Sequence, residues 1–458
     1  MRSLKQLAMG ISFGLAVAAL PASAVADSGK MLFFEETFGG NGQRCGTCHR
    51  QEEGQFLAFS PSFAQQLYST HPEDPLFTPI NSADRVGGDF TGMFTNGTVP
   101  IPIDLPLNVV AVPVTAGAQV YTNPETGRQY ILVPRKTPRV TDIANKGVLM
   151  LDGRMGHDFG AQAAGAADTH FGPHLPLTQK QKEKLEAFQK KQFSDEDMRR
   201  LANEGVAPEL PEAVGYLESI GKRMLEPGPL GKCSMCHGGP GLNKTTEDNI
   251  VNTILGMEPG MDFAVNFSGG TAFNFPFTVR NTNPVYMFTI TSVDDNGLPT
   301  PDEGGQSYRI LFSADPGAVL NQDENGYAHP CRIDIGNCII NGPSPANGFL
   351  PLLREEHAIP SLWRIGDLVQ AGGTFFHHGQ AHTLQQVMEN YKELFNVTAD
   401  GLEALFPGSD FGYLRITEEE ELGTVLYLTN RMRSKHSNGP GHPVARWQYS
   451  SDQRIRTT

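Results

Sequence analysis

The sequence predicts a mainly α-helical chain of two domains, and three observations carry that prediction. Roughly 430 residues follow an N-terminal leader, which exceeds one ordinary hydrophobic core. The pattern Cys-x-x-Cys-His occurs twice, at 45–49 and at 233–237, once in each half of the chain. Helix-capping residues and apolar residues at helical spacing recur between stretches rich in Pro and Gly. We therefore expect helical domains joined and elaborated by long loops.

Residues 1–26 read as a secretory signal peptide. Arg2 and Lys5 precede an apolar run, and small residues at 22–24 offer a cleavage site. The run is short for a membrane span, so we expect a cleaved leader, with a retained N-terminal anchor as the alternative. A mature protein without a membrane span, located in the periplasm, follows from this interpretation.

The charge balance argues against nucleic acid as a partner. The formal net charge is -14 and becomes -16 if Arg2 and Lys5 leave with the signal. An acidic surface repels phosphate backbones and can attract a basic electron-donor protein.

The expected organisation places an N-terminal domain at 27–205, a C-terminal domain at 206–436 and a tail at 437–458. Residues 69–134 are punctuated by Pro and Gly, so they predict a loop-rich insertion in the first domain. Two Val- and Ile-rich runs within the insertion, 107–114 and 129–133, are expected to pair as a small β-hairpin.

Helix signals are clearest around the domain boundary. Thr178 and Ser194 are candidate N-caps, Asp197 completes a capping box with Ser194, and Gly205 is a helix stop. The charged segment 179–203 therefore predicts a solvated pair of helices. A further helix is expected at 211–225, leading into the second Cys motif.

The two Cys-x-x-Cys-His motifs have the spacing of covalent haem attachment. Two thiols one helical turn apart can each bond a haem vinyl group, and the adjoining histidine then lies beneath the iron as its axial ligand. The alternatives are a zinc site or a redox dithiol, but no second Cys pair stands at zinc-ribbon spacing and no βαβ pattern surrounds either motif. The sequence thus predicts two c-type haems in two cytochrome c-like domains. The residues that hold them are Cys45, Cys48 and His49, and Cys233, Cys236 and His237.

Cys331 and Cys338 are the remaining cysteines of the chain. Their closeness in sequence and the oxidising compartment predict a local disulfide, with a pair of free thiols as the alternative.

Several segments resemble the bacterial diheme cytochrome c peroxidase and MauG superfamily. The matching segments are 29–34, 135–142, 152–154, 359–362 and 375–379. The resemblance spans most of the mature chain, and the Phe-His-x-Gly type segment at its end is the most specific. It implies that the N-terminal haem reacts with hydrogen peroxide and that the C-terminal haem passes electrons to it.

The resemblance also implies a second iron ligand for the C-terminal haem. Counted along the chain from His377, the position of that ligand in the family corresponds to Tyr391. A helix expected from about Thr383 to Phe395 places Leu384, Met388 and Tyr391 on one face. Met388 is the alternative ligand, and a core tyrosine without iron is the structural alternative. A phenolate ligand lowers the haem potential and favours MauG-like behaviour.

For catalysis at the N-terminal haem, the resemblance implies that Asp152 and Arg154 hold the pocket together and that His377 lines the region between the domains. The family's distal Glu is missing, since no Glu occurs from 152 to 182. His170 is therefore the candidate acid-base group, with His174 beside it. The family's bridging Trp is replaced by Leu151.

A calcium ion between the domains is a further implication of the resemblance, with Asp142 as the side-chain ligand and Gly372 and Thr374 as carbonyl ligands. Asp142 as an ordinary helix cap is the alternative.

The expected function is a periplasmic diheme oxidoreductase that reduces peroxide with electrons from a small cytochrome c or cupredoxin. The alternatives are a MauG-like oxidase of a protein or organic substrate and a non-catalytic diheme electron carrier, which the missing Glu and Trp favour.

Overall fold

The computed structural model describes residues 28–50, 57–228, 231–244, 263–265, 284–291, 308–317, 320, 322, 324–328, 356–433, 447–448 and 456–457. The leader, the pair Cys331 and Cys338, and most of the tail lie outside the described residues. Helices and small antiparallel sheets make up the described part, so the expectation of a mainly α-helical chain is not confirmed. No helix of the described part combines the length and apolar character that crossing a membrane requires.

The α-helices of the described part are α1 (Gly29–Phe34), α2 (Cys45–Cys48), α3 (Pro61–Thr70), α4 (Thr91–Asn96), α5 (Phe159–His170), α6 (Gln179–Gln189), α7 (Glu196–Glu204), α8 (Gly215–Leu225), α9 (Ile365–Gln370), α10 (Leu384–Leu405) and α11 (Glu418–Asn430). Short 3-10 turns lie at Pro75–Phe77, Pro79–Asn81, Ile143–Asn145 and Gly412–Leu414.

The strands of the described part are β1 (Thr98–Asp104), β2 (Val109–Pro113), β3 (Val120–Thr122), β4 (Gln129–Lys136), β5 (Phe263–Val265), β6 (Tyr286–Thr291), β7 (Tyr308–Ser313), β8 (Glu356–Ala358), β9 (Trp447–Gln448) and β10 (Arg456–Thr457). They form antiparallel sheets in the orders β1-β4-β3, β2-β6-β7, β5-β8 and β10-β9.

The expected hairpin between 107–114 and 129–133 is wrong in its pairing, although both runs contain strands. β4 pairs with β1 and β3, whereas β2 pairs with β6, so the insertion shares a sheet with the C-terminal half. The prolines at 100 and 102 pointed away from a strand, yet β1 lies at a sheet edge, where a missing N–H donor is tolerated. Val109 and Ala111 are buried against Phe288, and this contact supplies the apolar partner that selects β6.

Helix ends follow local capping, with one correction. Thr178 caps α6 in a capping box with Gln181, and Gly205 ends α7 in the left-handed conformation, both as predicted. Ser194 is not the cap of α7, because the side chain of Asp195 accepts the Met198 N–H. The Ser194 N–H instead donates to Asp142 Oδ1 at 2.8 Å. The cap therefore lies one residue later than predicted, at Asp195, and the Ser194 hydroxyl makes no capping hydrogen bond.

Two predicted helices differ in length from the structure. α8 begins at Gly215 rather than Pro211, and the Val214 N–H before it donates to the side chain of Glu218. α10 begins after its cap Thr383 as expected but continues to Leu405. Its buried residues Leu384 and Met388 pack in one core with Tyr391, which confirms the predicted inward face.

Each Cys motif follows a helix that crosses a later helix at a glycine. A Cβ at Gly29 in α1 would lie 2.1 Å from the Lys184 carbonyl of α6. A Cβ at Gly221 in α8 would lie 2.1 Å from the Gly423 carbonyl of α11. Only glycine permits backbones this close, so the two crossings set the position of the helices that precede the motifs.

We predict that Gly221→Ala lowers the free energy of unfolding by about 1–3 kcal/mol, because the added methyl forces α8 and α11 apart. Gly401→Ala is the matched control in α10, where a Cβ meets nothing within 4 Å. The control is expected to stabilise the chain by about 0.5–1 kcal/mol, since alanine is the better helix former. Denaturant unfolding followed by circular dichroism measures both. Equal stability of the two variants would contradict the crossing.

Candidate haem and histidine site

In the first Cys motif, the contacts of the histidine ring show which of its nitrogens carries the proton. α2 carries both cysteines, and the His49 N–H continues the turn by donating to the Cys45 carbonyl at 3.0 Å. The ring atom His49 Nδ1 lies 2.7 Å from the Leu57 carbonyl oxygen. A carbonyl only accepts, so Nδ1 carries the proton and Nε2 keeps its lone pair. This tautomer is the one that an axial iron ligand requires.

The second motif repeats this arrangement. The His237 N–H donates to the Cys233 carbonyl at 2.8 Å, and His237 Nδ1 lies 3.2 Å from the Leu242 carbonyl oxygen. Burial lowers the pKa of His237 to about 4, against the opposing effect of the Leu242 and Pro360 carbonyls. The ring is therefore neutral at physiological pH, which leaves it able to bind a metal.

The motif cysteines are partly buried and do not form disulfides within the motifs. Cys45, Cys48 and Cys233 are free thiols in the structure, and burial raises the pKa of each to about 12. Redox-active dithiols instead have a lowered pKa in at least one cysteine. The raised thiol pKa values are unlike those of an exchanging redox pair.

Tyr391 lies beside the second motif, as the register argument requires. It packs in the same core as Cys233, and its ring centroid is 6.2 Å from that of Phe376. Burial raises the pKa of Tyr391, and the nearby Cys236 and Cys233 raise it further. Met388, the alternative ligand, is buried one turn away in the same core. The structure therefore brings the candidate pair Tyr391 and His237 into one region.

Arg135 joins two buried carboxylates that are distant in sequence. Its Nη1 donates to Asp152 Oδ2 at 2.6 Å, while Nε and Nη2 donate to the two oxygens of Asp315, both at 2.8 Å. Arg154 Nη1 also donates to Asp152 Oδ2, at 2.7 Å. Burial alone raises the pKa of an acid, but the guanidinium charges hold the pKa of Asp152 and of Asp315 well below the ordinary value. Both acids are therefore ionised.

Three histidines surround Asp315. His378 Nε2 and His377 Nε2 lie 3.6 Å and 3.8 Å from Asp315 Oδ2, and the His357 ring stacks on that of His377 with centroids 3.8 Å apart. All four residues are buried. Burial lowers the pKa of His357 to about 4 and that of His377 well below its ordinary value. The imidazoles of His357 and His377 are therefore uncharged at neutral pH.

This histidine cluster, defined as Asp315, His357, His377 and His378, is the part of the site that the sequence reasoning largely missed. Only His377 was predicted to line the region between the halves. Adjacent histidines in a strand would point to opposite faces, but 377–378 form a turn closed by the Phe375–Ala381 bridge. Phe376 has a positive φ of 62°, which bends the chain so that both rings face Asp315.

His170 lies at the C-terminal end of α5, near the first motif. Burial lowers the pKa of His170 to about 4, and the charges of Arg154 and His49 lower it further. Its neighbour His174 is engaged elsewhere, since Nδ1 lies 2.9 Å from the Gly172 carbonyl and Nε2 lies 3.3 Å from Asp168. The structure thus favours His170 as the titratable group near His49.

Two of the three residues predicted to bind calcium, Thr374 and Asp142, have other partners. The Lys136 ammonium donates to the Thr374 carbonyl, and the Ser194 N–H donates to Asp142 Oδ1. These contacts occupy the Thr374 carbonyl and one oxygen of the Asp142 carboxylate. Asp142 is also not an N-cap by its side chain, because it makes no capping hydrogen bond to the turn that follows. Calcium stays a prediction that these contacts do not favour.

Comparison with models of known protein families and with curated proteins gives no match.

We predict that Arg135→Gln destabilises the chain by about 3–5 kcal/mol, because it leaves two buried carboxylates without their shared cation. Arg199→Gln is the control, since it removes an exposed guanidinium paired with Glu196 and is expected to change little. Denaturant unfolding at neutral pH compares the two variants. Similar unfolding midpoints would contradict a structural role for the Arg135 pair.

Proposed function

We propose that the chain is a diheme c-type cytochrome that reduces hydrogen peroxide in the periplasm. The proposal rests on the ring orientation that His49 and His237 share. Each Nδ1 is directed at a backbone carbonyl, so each Nε2 can bind a haem iron beside a partly buried cysteine pair. A zinc site would need further cysteine or histidine ligands around these sulfurs, and a redox dithiol would need a lowered thiol pKa.

Each haem would be held by one motif. Cys45 and Cys48 supply the thioethers of the first and Cys233 and Cys236 those of the second. Bound haem supplies one-electron redox chemistry at iron, which no side chain of the chain provides. Reduction of one peroxide to two waters consumes two protons and two electrons, and a small donor protein is proposed to supply the electrons.

His170 is proposed to move a proton during peroxide cleavage. A neutral imidazole can take the proton from one peroxide oxygen and return it to the other, which then leaves as water. The lowered pKa of His170 keeps the ring neutral and ready to accept. Arg154 contributes to that lowering and, through Asp152, is tied to Arg135. The ion network of Arg135, Asp152 and Arg154 therefore influences the pKa of the proposed acid-base group.

A second candidate function is a MauG-like oxidase of a protein or organic substrate. The position of Tyr391 beside Cys233 and Cys236 favours it, because phenolate ligation stabilises oxidised iron. Under this alternative the same haem pair would draw electrons from a substrate rather than from a donor protein. A non-catalytic electron carrier is the remaining alternative, with both irons closed to peroxide.

Spectra of the purified holoprotein distinguish these functions. We expect two c-type haems per chain by pyridine haemochrome assay and a high-spin ferric signal that disappears on peroxide addition. Steady consumption of peroxide with a reduced donor favours the peroxidase, while a peroxide response without donor turnover favours the oxidase. Two low-spin haems with no response to peroxide would overturn both.

Tyr391→Phe is predicted to change the spectrum of one haem only, because it removes the proposed phenolate ligand. Tyr427→Phe is the matched control, a buried tyrosine whose hydroxyl donates to the Pro211 carbonyl at 2.6 Å. Met388→Leu tests the alternative ligand. If Tyr391→Phe and Tyr427→Phe have the same spectrum as the parent, the assignment of Tyr391 is wrong.

His170→Asn is predicted to slow the reaction with peroxide by about 10²-fold or more. Since the pKa of His170 is lowered from 6.5 to about 4, the neutral form dominates above that value. The rate constant should then stay level from neutral pH down to about 5 and fall as the pH approaches 4. Stopped-flow spectroscopy measures the profile. A midpoint near 6.5, or an unchanged rate in the variant, would rule out this role.

A further inference from the structure

The histidine cluster lies apart from both Cys motifs in sequence and has ligand atoms without hydrogen-bond partners. Both ring nitrogens of His357 and both of His378 make no hydrogen bond in the described structure. His378 is fully buried, and its distance of 3.6 Å from Asp315 Oδ2 exceeds a normal hydrogen bond. Buried polar groups normally have a hydrogen-bond partner, and no residue that the structure describes supplies one to these nitrogens.

We propose that Asp315, His377 and His378 bind a divalent transition-metal ion, such as Zn²⁺ or Cu²⁺, separate from the haem irons. One ligand atom from each of the three residues lies within 4.8 Å of the others. In a tetrahedral site with bonds of about 2.1 Å, neighbouring ligand atoms lie about 3.4 Å apart. The two separations from Asp315 Oδ2, 3.6 Å and 3.8 Å, are close to that value, and the ligand atoms of His377 and His378 lie within 4.8 Å of each other.

The donor set selects the class of metal. Imidazole nitrogens with one carboxylate suit the borderline ions Zn²⁺ and Cu²⁺, while Ca²⁺ and Mg²⁺ prefer oxygen ligands throughout. His357 stacks on His377 with ring centroids 3.8 Å apart and is our candidate for a fourth ligand. The site thus has the three or four protein ligands that a buried zinc or copper centre needs.

Arg135 shares Asp315 with the proposed ion. Its bidentate contact leaves further lone pairs on both carboxylate oxygens and fixes the plane of the carboxylate. The ion would link four segments of the chain: the end of β4 through Arg135, the residues after β7, the strand β8 and the turn at 377–378. We therefore expect the metal to be structural and to stabilise these segments against one another.

The test uses the haem-loaded protein and counts metals per chain. We expect one equivalent of zinc or copper beyond the two haem irons by inductively coupled plasma mass spectrometry after expression with either metal supplied. With Cu²⁺, electron paramagnetic resonance should show nitrogen hyperfine coupling from at least two imidazoles. Haem content by pyridine haemochrome is measured separately, so loss of this site is distinguishable from loss of haem.

His378→Ala and the near-isosteric Asp315→Asn are predicted to lose the extra metal and the rise in melting temperature that Zn²⁺ produces. His382→Ala is the matched control, an exposed histidine in the following segment, and should keep both. Circular dichroism and haem content check that the variants fold. No extra metal in the parent protein, or equal metal in His378→Ala and His382→Ala, overturns the proposal.

Discussion

The shared cation at Arg135 is the interaction on which the centre of the molecule depends. Asp152 and Asp315 are buried, and each would be strongly destabilising as an isolated carboxylate. Arg135 satisfies both through three hydrogen bonds, and Arg154 adds a fourth. The arginine side chain is the one that can meet two carboxylates at once, since its planar fork carries five donors. Strand β4 is thereby held against segments that come from both halves of the chain.

The same ion network connects two features that otherwise look separate. On one side Asp152 holds Arg154, whose charge helps to keep His170 neutral near the first Cys motif. On the other side Asp315 faces the buried histidines. A change in the charge of either carboxylate would therefore act on both the proposed acid-base group and the proposed metal site. This coupling is local electrostatics across a few side chains in a buried setting.

The two Cys motifs share their construction but have different surroundings. Both motifs follow a helix that crosses a later helix closely at a glycine. In both, a backbone carbonyl orients the histidine ring. Around His237 the core brings Tyr391 close, which suits a closed electron-relay haem. Around His49 the nearby titratable group is His170, kept neutral by burial and by Arg154. These differences are the physical basis for proposing unequal roles.

Much of the local structure was predictable because local chemistry decides it. Thr178, Thr383 and Gly205 mark helix ends through hydrogen bonds and backbone conformation within a few residues. Prediction failed where a distant partner intervened. The Ser194 N–H donates to the distant Asp142 while Asp195 caps α7, and β2 pairs with β6 rather than with β4. Strand pairing is decided by which apolar faces meet, and that information is not local.

For the candidate site, the sequence by itself determined the two Cys-x-x-Cys-His motifs, because the residues that make up each motif lie within five positions of the chain. It also placed Tyr391 on the inward face of its helix, since helical spacing specifies a face. Only the tertiary structure decided that Arg135 lies between Asp152 and Asp315, and that the histidines at 357, 377 and 378 converge on the same carboxylate. These residues are far apart in the chain. Their meeting depends on strand register and on one turn with a positive φ, which no local pattern specifies.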